Sequence, residues 1–210
     1  MAAIIFDFDG TLADTRRGIL ATSQETLRRM GLPPADEAAL AATIGLPLIQ
    51  NFTRGAGMDE DQARRAVDIY RQIFDEVAVP VIEAFPGVEE AIRTLSERGI
   101  PMAVATSRGQ RSLEMLMHLL GLDRYIPPER CFGVESVARP KPAPDMVYLI
   151  LAKLGAKPEE TLVVGDTTFD IEMGRNAGCY TCGVSYGNQS AEQLASASPN
   201  YIIDDLRKLL

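Results

Sequence analysis

The sequence predicts an α/β protein, a doubly wound parallel sheet carrying an inserted α-helical subdomain, and three observations carry that expectation. An apolar run over residues 2–8 ends in acidic residues and Gly10, the pattern of a buried strand opening into a loop. A block of about 70 residues follows with helical spacing and no strand pattern, too long for a simple crossover. Beyond Pro86-Gly87, apolar runs alternate with amphipathic segments, which is how parallel strands covered by helices on both faces read in a sequence. Residues 1–13 and 86–210 are therefore expected to form the α/β core, and residues 14–85 the helical insert.

Taken in order, the insert starts near Asp14, where Ile19, Leu20, Ser23, Leu27 and Met30 recur at three- and four-residue spacing and Gly31, Pro33 and Pro34 punctuate the run. Helical spacing continues to about Phe85. The core resumes with a helix over 88–98, a strand over 102–105, a helix over 110–120 and a short strand near Cys131. A helix over 145–154, a strand over 161–165, a helix through 170–176 and a strand over 179–184 complete the alternation. Residues 204–210 read as a short docked helix.

A chain of 210 residues, 46% hydrophobic, can bury a substantial core. No apolar run approaches the roughly 20 residues that cross a bilayer, and no basic region precedes the apolar start, so the protein is expected to be cytoplasmic. The net charge of −8 repels nucleic acid and anionic lipid, so any anionic ligand must be held by local cations, as a small phosphate ester can be. Cys131, Cys179 and Cys182 fit reduced thiols better than a disulfide framework, and Cys179-x-x-Cys182, in an apolar stretch, reads as packing. His118 is the one histidine and falls on a helix, so a histidine-metal site or a serine–histidine hydrolase lacks parts.

Functional residues of an open α/β sheet belong at the carboxyl ends of its strands, and four polar groups fall there. They are Asp7-Phe8-Asp9-Gly10-Thr11, Thr106-Ser107-Arg108, Lys141 between Pro140 and Pro142, and Gly165-Asp166-Thr167-Thr168-Phe169-Asp170. Asp7 and Asp9 can face one site, where two carboxylates repel unless a cation shares them. Asp166 adds oxygen from another strand, which suits Mg²⁺. Lys141 is a compact cation suited to a phosphate or a nucleophilic carboxylate. Thr106 and Ser107 are expected to open a helix whose free N–H groups cradle an anion, with Thr106 also its N-cap. The parts make a phosphoryl-transfer site.

In order and spacing these four groups resemble the motifs of haloacid dehalogenase-type phosphatases, over essentially the whole chain and on a Rossmann-like core. The resemblance implies Asp7 as nucleophile and Asp9 as general acid and base, with Thr106 and Lys141 clamping phosphate. It also implies Mg²⁺ held by Asp7, the backbone carbonyl of Asp9 and Asp166, with Asp170 in support. Gly10, Thr11, Ser107, Arg108, Arg54 and Arg17 are the candidate substrate-binding residues.

The helical insert lies between the first two motifs, as does the cap of the phosphoglycolate phosphatase and β-phosphoglucomutase branch. No lysine occurs from Ala13 to Ala84, against a phosphonoacetaldehyde hydrolase, which needs one for its imine. Asp9 weighs against a haloalkanoic dehalogenase, which lacks that second acid. The stretch from Ile44 to Leu48, followed by Arg54, is similar to the specificity loop of phosphoglycolate phosphatases and related pyrophosphatases. Arg16, Arg17, Arg54 and Arg108 are candidates to hold a substrate carboxylate or second phosphate. The expectation is a monomeric or homodimeric phosphomonoesterase of the phosphoglycolate phosphatase type, acting on a small phosphorylated metabolite through an aspartyl-phosphate. A β-phosphoglucomutase-like transferase, an inorganic pyrophosphatase and a non-catalytic binding protein are the alternatives.

Overall fold

The computed structural model describes residues 2–210. Strand β1 (Ala3–Phe6) is buried at every position, which explains an unbroken apolar run where a half-exposed strand would alternate. Next come β2 (Ala13–Asp14), α1 (Arg16–Arg29), α2 (Glu37–Ala41), α3 (Leu48–Gln50) with a π-helical turn over Asn51–Gly55, α4 (Glu60–Val77) and β3 (Glu83–Ala84). The chain continues through α5 (Val88–Glu97), β4 (Met102–Ala105), α6 (Gln110–Leu119), β5 (Cys131–Phe132) and α7 (Asp145–Leu154). It ends with β6 (Thr161–Gly165), α8 (Thr168–Asn176), β7 (Tyr180–Val184), α9 (Ala191–Ala195), β8 (Tyr201–Ile203) and a 3₁₀ turn over Leu206–Leu209.

Six of the strands form one parallel sheet in the order β5-β4-β1-β6-β7-β8. From β1 the chain builds outward through β4 and β5, then crosses to the other side for β6, β7 and β8. The order reverses at β1, and the crevice beyond its carboxyl end is where such a fold binds its ligand. Successive β1 side chains point to opposite faces. Ile4 and Phe6 join an apolar cluster with Phe8, Leu113 and Phe74, and Ile5 joins a second with Val163, Val147 and Ile150. Burying one such side chain contributes about 1.5–3 kcal/mol.

Between β2 and β3 the helices make their own layer. The Asp59 side chain caps α4 through the Gln62 amide at 2.8 Å, and Glu60 and Asp61 follow in its first turn, where acids suit the helix dipole. Ala63, Ala66, Tyr70, Ile73 and Phe74 make its buried face, at helical spacing. Asn51 is buried and fully engaged: its amide nitrogen donates to Leu40 O (3.2 Å) and Thr43 Oγ1 (2.8 Å), and its oxygen accepts from Ser23 Oγ (2.9 Å). This network ties the turn at 43–47 to α1, and that turn overhangs the crevice.

Strands 102–105 and 161–165 and the helix 145–154 fall where the sequence places them. Residues 14–85 are not purely helical, because β2 and β3 pair antiparallel, Ala13 with Ala84 and Asp14 with Glu83. Strands of two residues carry no periodicity to read. The end of the chain also differs: β8 adds a sixth strand beside β7, and only a 3₁₀ turn follows it. Among the described residues no helix is long and apolar enough to cross a membrane.

Candidate active site

β1 delivers Asp7 to the crevice, its amide bonded to Val164 O of β6 at 2.8 Å. The chain then turns sharply, with Leu12 and Ala13 amides both donating to Phe8 O (3.0 and 3.1 Å). Gly10 sits in this turn at φ +89°, and a Cβ there would overlap the Asp166 carboxylate. Only glycine permits that backbone so close to an acid. Thr11 is wholly buried, with Oγ1 donating to Asp166 Oδ1 (3.2 Å) and lying 3.5 Å from Asp7 Oδ2. Tyr186 O–H holds the same turn by donating to Thr11 O at 2.8 Å.

Asp166 and Asp170 arrive from the end of β6 and the first turn of α8. Asp166 Oδ2 accepts from the Asn188 amide (2.7 Å) and side chain (2.8 Å). Asp170 completes a capping box with Thr167, its Oδ2 accepting from Thr167 N (3.0 Å) and Oγ1 (2.7 Å). Its Oδ1 takes Lys141 Nζ at 2.5 Å, and the same ammonium reaches Asp7 Oδ1 at 2.5 Å. Burial works against the Lys141 charge, but Asp170 and Asp7 outweigh it and raise its pKa, so it stays protonated. Asp7 moves well above the ordinary carboxylate value, chiefly through burial that the attraction of Lys141 only partly offsets. Asp166 rises to about 7, through burial first and then the charge of Asp170.

Ligand oxygens of Asp7, Asp166 and Asp170 lie within 4.8 Å of one another. Three buried carboxylates face one ammonium, and that surplus of negative charge is costly away from water. A hard, oxygen-ligated divalent cation fits this donor set. Asp170, with both oxygens already engaged by Lys141 and Thr167, is suited to holding Lys141 in place.

Asp9 stands apart from that cluster, at the floor of a cavity of about 850 Å³ that Asp7, Thr106 and Ser107 also line. Its carboxylate takes Arg108 Nε at 3.2 and 3.1 Å and Nη2 at 2.5 Å. The Arg108 guanidinium lies 5.8 Å from the Phe8 ring centre and 4.8 Å from that of Phe74, with Nη1 donating to Ser112 Oγ at 2.8 Å. This arginine thus joins the β1 turn, α6 and α4. Ser107 Oγ donates to Gly45 O at 2.7 Å, and a Cβ on Gly45 would meet Thr167 Cγ2 at 3.1 Å. The overhanging turn is seated on the core.

The structure gathers Asp7, Asp9, Gly10, Thr11, Thr106, Ser107, Arg108, Lys141, Asp166 and Asp170 at one crevice. Three expectations change. Arg16, Arg17 and Arg54 are exposed and outside the cavity lining, because α1 buries Gly18, Ile19 and Leu20 and the π turn leaves Arg54 to solvent. Arg108 pairs with Asp9 and is not left open for a substrate anion. Thr106 opens no helix: α6 starts at Gln110, whose amide is met by Glu135 Oε2 at 2.9 Å, while Thr106 Oγ1 accepts from the Arg108 amide at 3.2 Å. Asn188, Tyr186, Arg71 and Glu135 also belong to the site, and no sequence signal points to them. An isolated asparagine or tyrosine in a loop carries no spacing signal, and the two charged residues read as surface. The cysteines are free and buried, with burial pushing the Cys182 thiol up to about 12, and His118 lies on the surface against Asp123.

The model of the haloacid dehalogenase-like hydrolase family matches residues 4–184. A protein of Dickeya dadantii named a probable phosphatase, IndB, is 37% identical over 99% of this chain and 91% of its own length. A pyrophosphatase, PpaX, of Oceanobacillus iheyensis is 30% identical over 99% of this chain and 94% of its own length. Among solved structures, a predicted phosphoglycolate phosphatase from Haemophilus somnus superposes with a TM-score of 0.91 at 25% identity, covering 100% of this chain and 96% of its own.

Proposed function

Because the chain belongs to the haloacid dehalogenase-like hydrolase family, we propose that it is a Mg²⁺-dependent phosphomonoesterase that works through an aspartyl-phosphate on Asp7. The observation that carries the reading is the pairing at one strand end of two unlike acids. Asp7 is sunk beside Lys141, and Asp9 faces the cavity. A nucleophile needs a fixed, ionised carboxylate; Lys141 fixes one oxygen and offsets part of the burial that favours protonation, and a cation shared with Asp166 would supply the rest.

Asp7 forms an O–P bond as the ester's P–O bond to the alcohol breaks, and Asp9 passes to the departing alkoxide the proton it regains in the second half of the cycle, from an oxygen that Arg108 releases. Asp9 then takes a proton from water, the water oxygen attacks phosphorus, and phosphate leaves with Asp7 restored as carboxylate. Lys141 and Thr106 hold the phosphoryl oxygens, and Arg108 positions Asp9. Mg²⁺, held by Asp7, Asp166 and the Asp9 backbone carbonyl, would draw negative charge from the phosphoryl group and offset the surplus of the acidic cluster. The helices between β2 and β3 act as a cap that limits water at the site, and Asp170 keeps Lys141 in register. The similarity to PpaX places inorganic diphosphate in the panel that tests the reading.

Phosphate release from a panel of small esters and diphosphate, with Mg²⁺, tests the proposal for wild type and Asp7→Asn together. The expected loss is at least about a thousandfold. Release by Asp7→Asn within tenfold of wild type would rule out the nucleophile.

A further inference from the structure

Taking the phosphatase reading as given, we propose that the ester cleaved here carries a bulky, uncharged and partly apolar alcohol, aromatic or branched. It is not built for a compact anionic group such as glycolate or a second phosphate. The first ground is size. The cavity of about 850 Å³ is near the upper end of what houses a drug-sized ligand, roughly 300–1,000 Å³. Its inner end is closed, because the Ser107–Gly45 hydrogen bond joins the overhang to the core and the Arg108–Phe74 contact joins α4 to it. Phosphoglycolate would leave most of that space to water.

The second ground is the wall. Leu46, Leu48, Val67, Tyr70, Phe74 and Met115 line the cavity that Asp7 and Asp9 floor, and apolar surface of this kind gains only from a leaving group that covers it. The third ground is charge. A second anionic group on the substrate needs a cation near Asp9, and Arg108 there is already taken by the Asp9 carboxylate. The other lining arginines, Arg64, Arg71 and Arg111, are exposed, as are the lining acids Asp68, Asp75 and Glu135; Arg71 lies 3.8 Å from Glu135 and Arg64 2.9 Å from Glu60. Three cations and three anions at an exposed, solvent-screened rim give little net pull on an anion, and they offer hydrogen bonds to a neutral polar edge.

The test compares kcat/KM of the Mg²⁺-loaded protein for benzyl phosphate and 2-phenylethyl phosphate with that for 2-phosphoglycolate and diphosphate. The aromatic esters are expected to lead by on the order of a hundredfold. In Val67→Trp, which fills the cavity, the ratio of benzyl phosphate to 2-phosphoglycolate should fall at least about tenfold. If that variant does not fold, inhibition of the wild type decides, with benzylphosphonate expected to bind at least about tenfold tighter than phosphonoacetate. Equal rates, or a lead for 2-phosphoglycolate or diphosphate, would overturn this inference and leave the phosphatase standing. Absence of phosphate release from every ester would overturn both.

Discussion

Replacing Asp166 by asparagine removes a buried charge and keeps the shape of the side chain. Its oxygen can still accept from Asn188, as Asp166 Oδ2 does at 2.7 and 2.8 Å. The new amide can face Thr11, whose hydroxyl turns from donor to acceptor. In the metal-free protein burial, and then Asp170, raises the Asp166 pKa from 3.8 to about 7. A carboxyl with a raised folded pKa contributes stability that is complete below the unfolded value of 3.8 and disappears as pH rises through about 7. At pH 8 the ionised side chain therefore costs the fold about 4 kcal/mol, of which weaker, uncharged hydrogen bonds in the variant give back about 1–2 kcal/mol. A net gain of about 2 kcal/mol raises Tm by about 4–8 °C in a chain of this length. Thermal unfolding followed by circular dichroism, with EDTA or with Mg²⁺, reads it directly. The variant is expected to be the more stable protein in EDTA at pH 8, with a smaller advantage at pH 5. It should lose both the rise in Tm with Mg²⁺ and phosphate release. A variant no more stable than wild type in EDTA at pH 8, or one that keeps the Mg²⁺ response, would refute the account of the acidic cluster.

Lys141→Met acts in the opposite direction. It leaves Asp7 and Asp170 buried without their shared ammonium, and urea unfolding at pH 8 should show a loss of about 3–5 kcal/mol; a loss under about 1 kcal/mol would mean the pair is not desolvated as described. Gly10→Ala forces a side chain onto the Asp166 carboxylate at φ +89°. It should cost about 2 kcal/mol or more in thermal unfolding and most of the phosphate release, whereas wild-type values in both would place the β1 turn elsewhere.

Much of the architecture could be read from the sequence because it is written in periodicity. Buried strands such as 102–105 and 161–165 are unbroken apolar runs, and the acids that follow β1 and β6 are conspicuous because nothing apolar accounts for them. The partners of those acids are a different matter. Arg108 was recognisable as a cation near the site, but which anion it meets depends on where α6 begins. The first amide of α6 is met by Glu135, a contact between residues far apart in the chain. Arg17 follows the first motif and Arg54 follows the stretch similar to a specificity loop, but the phase of α1 and of the π turn carries both outward. Asn188, which holds Asp166, sits in a loop after β7 and has no local pattern to announce it.

The antiparallel pairing of Ala13 with Ala84 has a consequence for how such a protein can change. Departure from the sheet and return to it occur side by side, so everything between could be exchanged for another segment with the same two ends, without disturbing a hydrogen bond of the sheet. The acids and Lys141, anchored on the sheet side of that junction, would keep their places. New specificities can then arise by replacing that segment, provided the replacement again packs on Arg108, as Phe74 does, and meets Ser107, as Gly45 does.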